Sequence, residues 1–150
     1  MLPRLRSLSE LPTSERRLAL QALGTLVVVR LVLWLLPFGS VRKVVDRWAA
    51  VPSAAPDAAR ARGVRRAVDR AARTIPGSAC LPQALTAELM LRRAGQPARV
   101  SIGVAPDGHP LDAHAWVESA GIMVTGESAD LHRYRTLVVF GSEATDNDAN

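Results

Sequence analysis

The residues best suited to chemistry are a lone cysteine and a histidine further along the chain. Cys80, in the stretch "SACLPQAL", is the only cysteine of the 150 residues. Pro82 follows it by two positions, and a helix tolerates proline only within its first turn. Cys80 is therefore expected at a helix start, where unpaired N–H groups and the helix dipole favour a thiolate and can hold an oxyanion. The alternative is a small buried apolar side chain.

A thiolate nucleophile needs a base, and the chain offers three histidines. His109 lies in a polar loop and is expected to be solvated, and His132 has no obvious acid to orient it. His114 opens the segment "HAWVES", whose alternation puts His114, Trp116 and Glu118 on one face of a strand. Because a strand is a rigid support, His114 is the preferred base, and the alternative is a structural histidine at a strand end.

A carboxylate is expected to complete the site by orienting the histidine. The strands 114–119 and 122–127 flank a turn at residues 120–121 and form a hairpin. A two-residue turn would pair Val117 with Val124 and His114 with Glu127. Glu127 is therefore the first candidate for the third catalytic residue.

Two other carboxylates remain open as orienting groups, because register is only weakly determined by sequence. A three-residue turn would place Gly126, which has no side chain, opposite the histidine. In that case Asp112, two residues before the histidine, or Asp130 would have to serve.

The elements that must position these residues follow an α+β plan, with helices first and an antiparallel sheet last. A long helix is predicted from Ser14 to Leu36, where Pro37 and Gly39 end it. Further helices are expected at 40–50, 57–74 and 80–94, with a linker at 51–56. Strands are expected at 98–104, 114–119, 122–127 and 135–142.

The long helix is apolar nearly all round over residues 26–36. A membrane span needs about 20 apolar residues, and Arg30 interrupts this stretch. The segment is therefore expected to be a core helix or a helix that docks onto a partner. Attachment to a membrane surface is the less favoured alternative.

Composition limits the class of protein and its partners. A single cysteine excludes an internal disulfide and is compatible with the cytoplasm, and no four-ligand zinc pattern or other metal or cofactor site is expected. The net charge of +5 favours acidic partners, although an ordinary solvated basic face would give the same number. The basic stretch "RARGVRR" lacks interleaved aromatic residues, so nucleic-acid binding is not expected.

Two longer stretches carry a resemblance to a known family. "CLPQALTAELMLRRAGQPARVSIGV" followed by "AHAWVESAGIMVTGE" resembles the transglutaminase-like (papain-like) cysteine hydrolases. More narrowly, it resembles the B2 proteins, the leader peptidases of lasso peptide biosynthesis. The likeness covers residues 77–128 and extends loosely, as an Arg- and Leu-rich helical region, through residues 14–50.

The resemblance implies a fold, an activity and partners. It implies a nucleophile helix packed on an antiparallel sheet, and cleavage of the leader from a precursor peptide with Cys80 as nucleophile and His114 as base. It also implies a leader-recognition B1 protein and an ATP-dependent lasso cyclase as partners. The family's third residue is usually an Asp about a dozen positions after the His, where this chain has Gly126 followed by Glu127.

These expectations divide the chain into an N-terminal helical region (1–56), a catalytic core (57–142) and a disordered acidic tail (143–150). Two other functions remain open. The chain could be a non-catalytic helical docking or scaffold protein, or another transglutaminase-like enzyme that transfers acyl groups.

Overall fold

The structure is a computed structural model that describes residues 10–107 and 111–142. The described part of the chain contains four α-helices followed by four strands, which confirms the predicted α+β class. The predicted tail 143–150 and His109 lie outside the described residues. The helices are α1 (Thr13–Leu35), α2 (Phe38–Trp48), α3 (Ala58–Thr74) and α4 (Cys80–Arg93), and the strands are β1 (Ala98–Ala105), β2 (Asp112–Ser119), β3 (Ile122–Thr125) and β4 (Arg135–Ser142).

Helix α1 has one buried stripe and one exposed apolar side. Ala19, Ala22, Leu26 and Val29 recur at three- and four-residue steps and are buried. On the other side Trp34 is 83% exposed. By length and composition α1 could span a membrane, with a mean hydropathy of 2.1, but core helices of soluble proteins meet the same criterion. Helix α1 is therefore a core helix, as expected, but only one side of it is buried in the core.

The sheet is antiparallel, with its strands in the order β3-β2-β1-β4. Only residues 94–97 connect α4 to β1, so the helix runs back along the strand that it precedes. The amino-terminal end of α4 therefore lies toward the end of β1 and the start of β2. The core between helices and sheet joins apolar residues from α1, α3, α4 and three of the strands, among them Leu26, Val68, Leu91, Val100, Val117 and Val124.

The hairpin between β2 and β3 has the predicted turn. Ser119 pairs with Ile122, and Ala120 and Gly121 both have positive φ, at 51° and 70°. Positive φ at both central residues defines a two-residue type I′ turn, the form that matches strand twist.

Beyond that turn the predicted register is wrong. The register shifts between Val117 and Glu118, so that Val117 pairs with Thr125 and not with Val124. One extra residue on β3 shifts everything that follows it. The strand also ends at Thr125, so the predicted pairing of His114 with Glu127 is absent from the ladder.

A buried ion-pair cluster fastens α2 to α4. The Glu88 side chain is fully buried, and Arg42 donates to its two oxygens at 2.7 and 2.6 Å. Arg92 and Asp46 extend the cluster, and the Arg42 guanidinium also lies 4.7 Å from the centre of the Phe140 ring. Burial alone would lower the pKa of Arg42, but its hydrogen bonds to Glu88 and Asp46 raise that pKa above its ordinary value. The cluster thus keeps Arg42 charged inside the protein.

Candidate active site

Cys80 lies where Pro82 predicted, at the first residue of α4. Its side chain is half-buried at the edge of the core. The N-cap is Ala79, and no side chain caps the helix. The first N–H groups of a helix have no partners within it, so this end of α4 can hold an anion or a developing oxyanion close to the thiol.

The loop before the cysteine is held by side-chain hydrogen bonds. Arg30 Nη1 of α1 donates to the Pro76 carbonyl at 2.7 Å, and Ser78 Oγ donates to the Ile75 carbonyl at 3.0 Å. Gln83 Nε2 donates to the Ser78 carbonyl at 2.9 Å. The side chain of Gln83 therefore supports the loop, and α1 helps to position the start of α4.

His114 lies in β2 among aromatic side chains. Its ring stacks near Trp116, with centroids 6.2 Å apart, and lies 5.1 Å from the ring of Tyr134. Its Nε2 is 2.7 Å from the Gly126 carbonyl oxygen. A carbonyl oxygen can only accept, so Nε2 carries the proton and Nδ1 holds the free lone pair. The structure therefore assigns the tautomer of the histidine and leaves Nδ1 as its basic nitrogen.

Gly126 is required for this contact. Its φ is +80°, and a Cβ built there would lie 2.5 Å from the Ala115 carbonyl oxygen and 2.6 Å from Trp116 Cβ. No side chain fits, so an Asp could not occupy this position, where the resemblance leads one to expect it. A backbone carbonyl takes the place of that carboxylate as the acceptor. The sequence showed the missing Asp, but nothing in it pointed to the carbonyl.

The first predicted orienting group, Glu127, lies elsewhere. Its carboxylate forms an ion pair with Arg65 of α3, and its side chain is 64% exposed. Within residues 10–107 and 111–142 no hydrogen bond or ion pair joins Glu127 to His114. The catalytic role of Glu127 therefore stays a prediction. In the structure its carboxylate contacts Arg65.

The two other carboxylates do not bind the histidine either. Asp112 accepts a hydrogen bond from the Tyr134 hydroxyl at 2.9 Å, and this bond raises the pKa of Tyr134. Asp130 bonds only through its backbone in the described residues: its N–H donates to Ser128 Oγ and its carbonyl accepts from the Arg133 N–H. Asp112 thus acts on the histidine indirectly, because it holds the tyrosine ring that packs against the imidazole.

Topology brings Cys80 and His114 to the same end of the sheet without a direct hydrogen bond between them in the described residues. Ala115 and Val117 face the helix-side core, so strand alternation puts His114 on the opposite face. The imidazole therefore has to approach the thiol around the start of β2. Catalytic hydrogen bonds are often long in free enzymes and tighten when substrate binds.

We expect the Glu127→Gln variant to keep its activity within about threefold of the native rate, because the carboxylate serves an exposed ion pair of about 0–1 kcal/mol. Gly126→Ala should lower the rate by at least about tenfold, since it displaces the carbonyl that fixes the imidazole. Initial rates, with circular dichroism as a folding check, measure both. A large loss in Glu127→Gln with the fold intact would show that the carboxylate does orient His114.

No cluster of three or more His, Cys, Asp or Glu side chains that could hold a metal ion occurs among the described residues.

Comparison with known proteins gives one match. The sequence model of the transglutaminase-like superfamily matches residues 24–139, more than two thirds of the chain and a range that contains Cys80, His114 and Glu127. No curated protein and no solved structure matches the chain.

Proposed function

The chain belongs to the transglutaminase-like superfamily, and from that premise we propose that it is a cysteine peptidase that cleaves the leader from a lasso precursor peptide. Membership of the superfamily by itself indicates a cysteine hydrolase or acyltransferase. The narrower proposal is supported by the likeness of residues 77–128 to the B2 leader peptidases.

The observation that carries the proposal is that the topology brings Cys80 and His114 toward the same end of the sheet, although no hydrogen bond joins them in the described residues. Cys80 begins a helix whose terminal N–H groups no side chain caps. His114 is held in the tautomer that leaves Nδ1 free. A nucleophile beside an anion-binding helix start, together with a base of defined tautomer, is the combination that acyl transfer through a thioester requires.

The proposed reaction has two steps. The Cys80 thiolate attacks the carbonyl carbon of the last leader residue, and N–H groups at the start of α4 stabilise the oxyanion. When the C–N bond breaks, protonated His114 gives its Nδ1 proton to the departing core amine, which leaves a thioester on Sγ. Neutral His114 then takes a proton from water, the hydroxide attacks the thioester, and the leader carboxylate departs with the thiolate restored.

The proposal includes partners and a location. A B1 recognition protein would present the leader, the lasso cyclase would use the freed core amine, and the reaction would take place in the cytoplasm. The single free cysteine and the absence of any need for an oxidant are compatible with that compartment.

One observation favours a second function, that of a docking protein. The second half of α1 exposes Leu31, Trp34 and Leu35, at 53%, 83% and 68%. Large exposed apolar patches mark surfaces that meet a partner. A docking function would not exclude catalysis. If docking were the protein's whole function, however, the Cys80 region would have no chemical role.

Incubation with a lasso precursor and its B1 protein in ¹⁸O-water tests the function. We expect mass spectrometry to show one cut at the leader–core junction, with a single ¹⁸O atom in the new leader carboxylate, because water resolves the thioester. A leader that instead carries an added amine would identify an acyltransferase. An intact precursor, in a preparation whose Cys80 is reduced and whose fold is native, would contradict both enzyme functions.

A further inference from the structure

A large groove runs along the opposite end of α4 from Cys80. Its walls come from α1 between Thr13 and Val29, the first half of α3, Trp48 at the end of α2 and the last turns of α4, and its volume is about 1300 Å³. Small-molecule pockets are usually about 300–1,000 Å³, so this groove is better suited to a stretch of polypeptide. We call it the arginine groove for the residues at its rim.

The floor of the groove is apolar and its rim is basic. Leu18, Val28 and Met90 are among the apolar side chains that line it. Arg17, Arg60 and Arg93 line it as well, and all three are exposed.

These three arginines lack acidic partners in the part of the chain that the structure describes. The two carboxylates of the groove are already engaged. Glu15 lies 3.7 and 3.6 Å from Arg66 and Arg70, and Asp57 caps α3 by accepting from two of its N–H groups. The groove therefore presents positive charge that the described residues leave uncompensated, above a surface that favours apolar side chains.

We propose that the arginine groove binds an acidic, amphipathic segment of the peptide substrate on the leader side of the cleaved bond. This inference rests on the proposed peptidase function. Apolar side chains of the segment would contact the floor, and its carboxylates would pair with Arg17, Arg60 and Arg93.

The geometry of α4 sets where in the substrate that segment lies. Met90 is ten residues beyond Cys80 along α4, which corresponds to about 15 Å at 1.5 Å per residue. An extended peptide covers about 3.3 Å per residue, so about five residues separate the cleaved bond from the groove. The groove thus binds leader residues that do not themselves contact the thiol.

A binding experiment tests the groove without any cleavage. The probe is a fluorescein-labelled peptide of about 12 residues, long enough to extend along the groove, that alternates glutamate with leucine. A lysine–leucine peptide is the charge control. The test variant carries Arg17→Glu, Arg60→Glu and Arg93→Glu. The matched variant makes the same change in net charge at exposed arginines outside the groove, namely Arg47→Glu, Arg62→Glu and Arg99→Glu.

Fluorescence anisotropy should show that the acidic probe binds the native protein and the matched variant alike. Binding to the test variant should be weaker by at least about tenfold, because like charges then meet across the groove. Added salt should weaken native binding. Equal affinity for both variants, no binding of the acidic probe, or tighter binding of the lysine peptide would overturn the inference.

Cleavage kinetics link the groove to the substrate. With full-length precursor the test variant should raise KM and leave kcat near the native value. A precursor that keeps only about four residues before the cut should be cleaved equally by the native protein and the test variant, since it cannot reach the groove. An unchanged KM would overturn the assignment of the occupant to the substrate. Arginine-dependent probe binding without cleavage of any precursor would instead remove the peptidase function and keep the acidic-peptide site.

Discussion

Cys80→Ala is expected to lower the rate of leader cleavage by at least about 10³-fold, and His114→Ala by a similar factor. The first variant removes the atom that forms the thioester, and the second removes the group that protonates the leaving amine. The double variant should be no slower than either single variant, because residues that act in one step give grossly non-additive effects.

Two further variants test the joint role of Cys80 and His114. His114→Gln keeps a hydrogen bond to the Gly126 carbonyl but lacks a basic nitrogen, so it should be as inactive as His114→Ala. Cys80→Ser should bind the precursor normally and cleave it at a small fraction of the native rate. Additive losses in the double variant, or cleavage retained by either single variant with an intact fold, would contradict a joint role for Cys80 and His114.

Glu88→Ala should destabilise the protein by about 3–5 kcal/mol, the cost of leaving a buried charge without its partner. In this variant Arg42, which has only 10% of its side chain exposed, would lose two hydrogen bonds and keep only the half-exposed Asp46 and the face of Phe140. Urea denaturation followed by circular dichroism measures the change. At about 2–4 °C per kcal/mol for a chain of this size, the melting temperature should fall by roughly 6–20 °C.

A matched pair of variants separates the charge from the packing. Asp46→Asn alters the exposed edge of the same cluster and should cost less than about 1 kcal/mol. The double variant Arg42→Met with Glu88→Leu should recover most of the lost stability, since an apolar pair of similar size can replace a buried ion pair. A Glu88→Ala variant as stable as the native protein would mean that water already reaches the cluster.

Local sequence signals predicted the parts of the site that depend on local structure. Pro82 restricts the helix start to within two residues, and this alone placed Cys80 at the end of α4. The alternation of side chains around Trp116 predicted strand β2 and the position of His114 within it. The turn at residues 120–121 was also predicted, because Gly121 lies between two alternating segments, although Ala120 is not a residue that favours its positive φ.

The parts that depend on long-range packing were not predictable. The bulge between the Val117 and Glu118 pairs changes the register by one residue and leaves no trace in the alternation on either side. The contact from His114 to the Gly126 carbonyl depends on where the backbone passes after β3 ends. The Arg42–Glu88 pair joins residues 46 positions apart, and nothing in either local sequence indicates the other.

The acceptor at Gly126 has a genetic consequence. If the Gly126 carbonyl is the group that orients His114, it is encoded by no particular side chain, and alanine scanning of the carboxylates would not reveal it. Selection at this site would act on the absence of a Cβ, and codon changes at position 126 would be harmful whatever charge they introduced. If the Glu127→Gln variant keeps its activity as expected, the residues at positions 127 and 65 could change together without loss of the reaction.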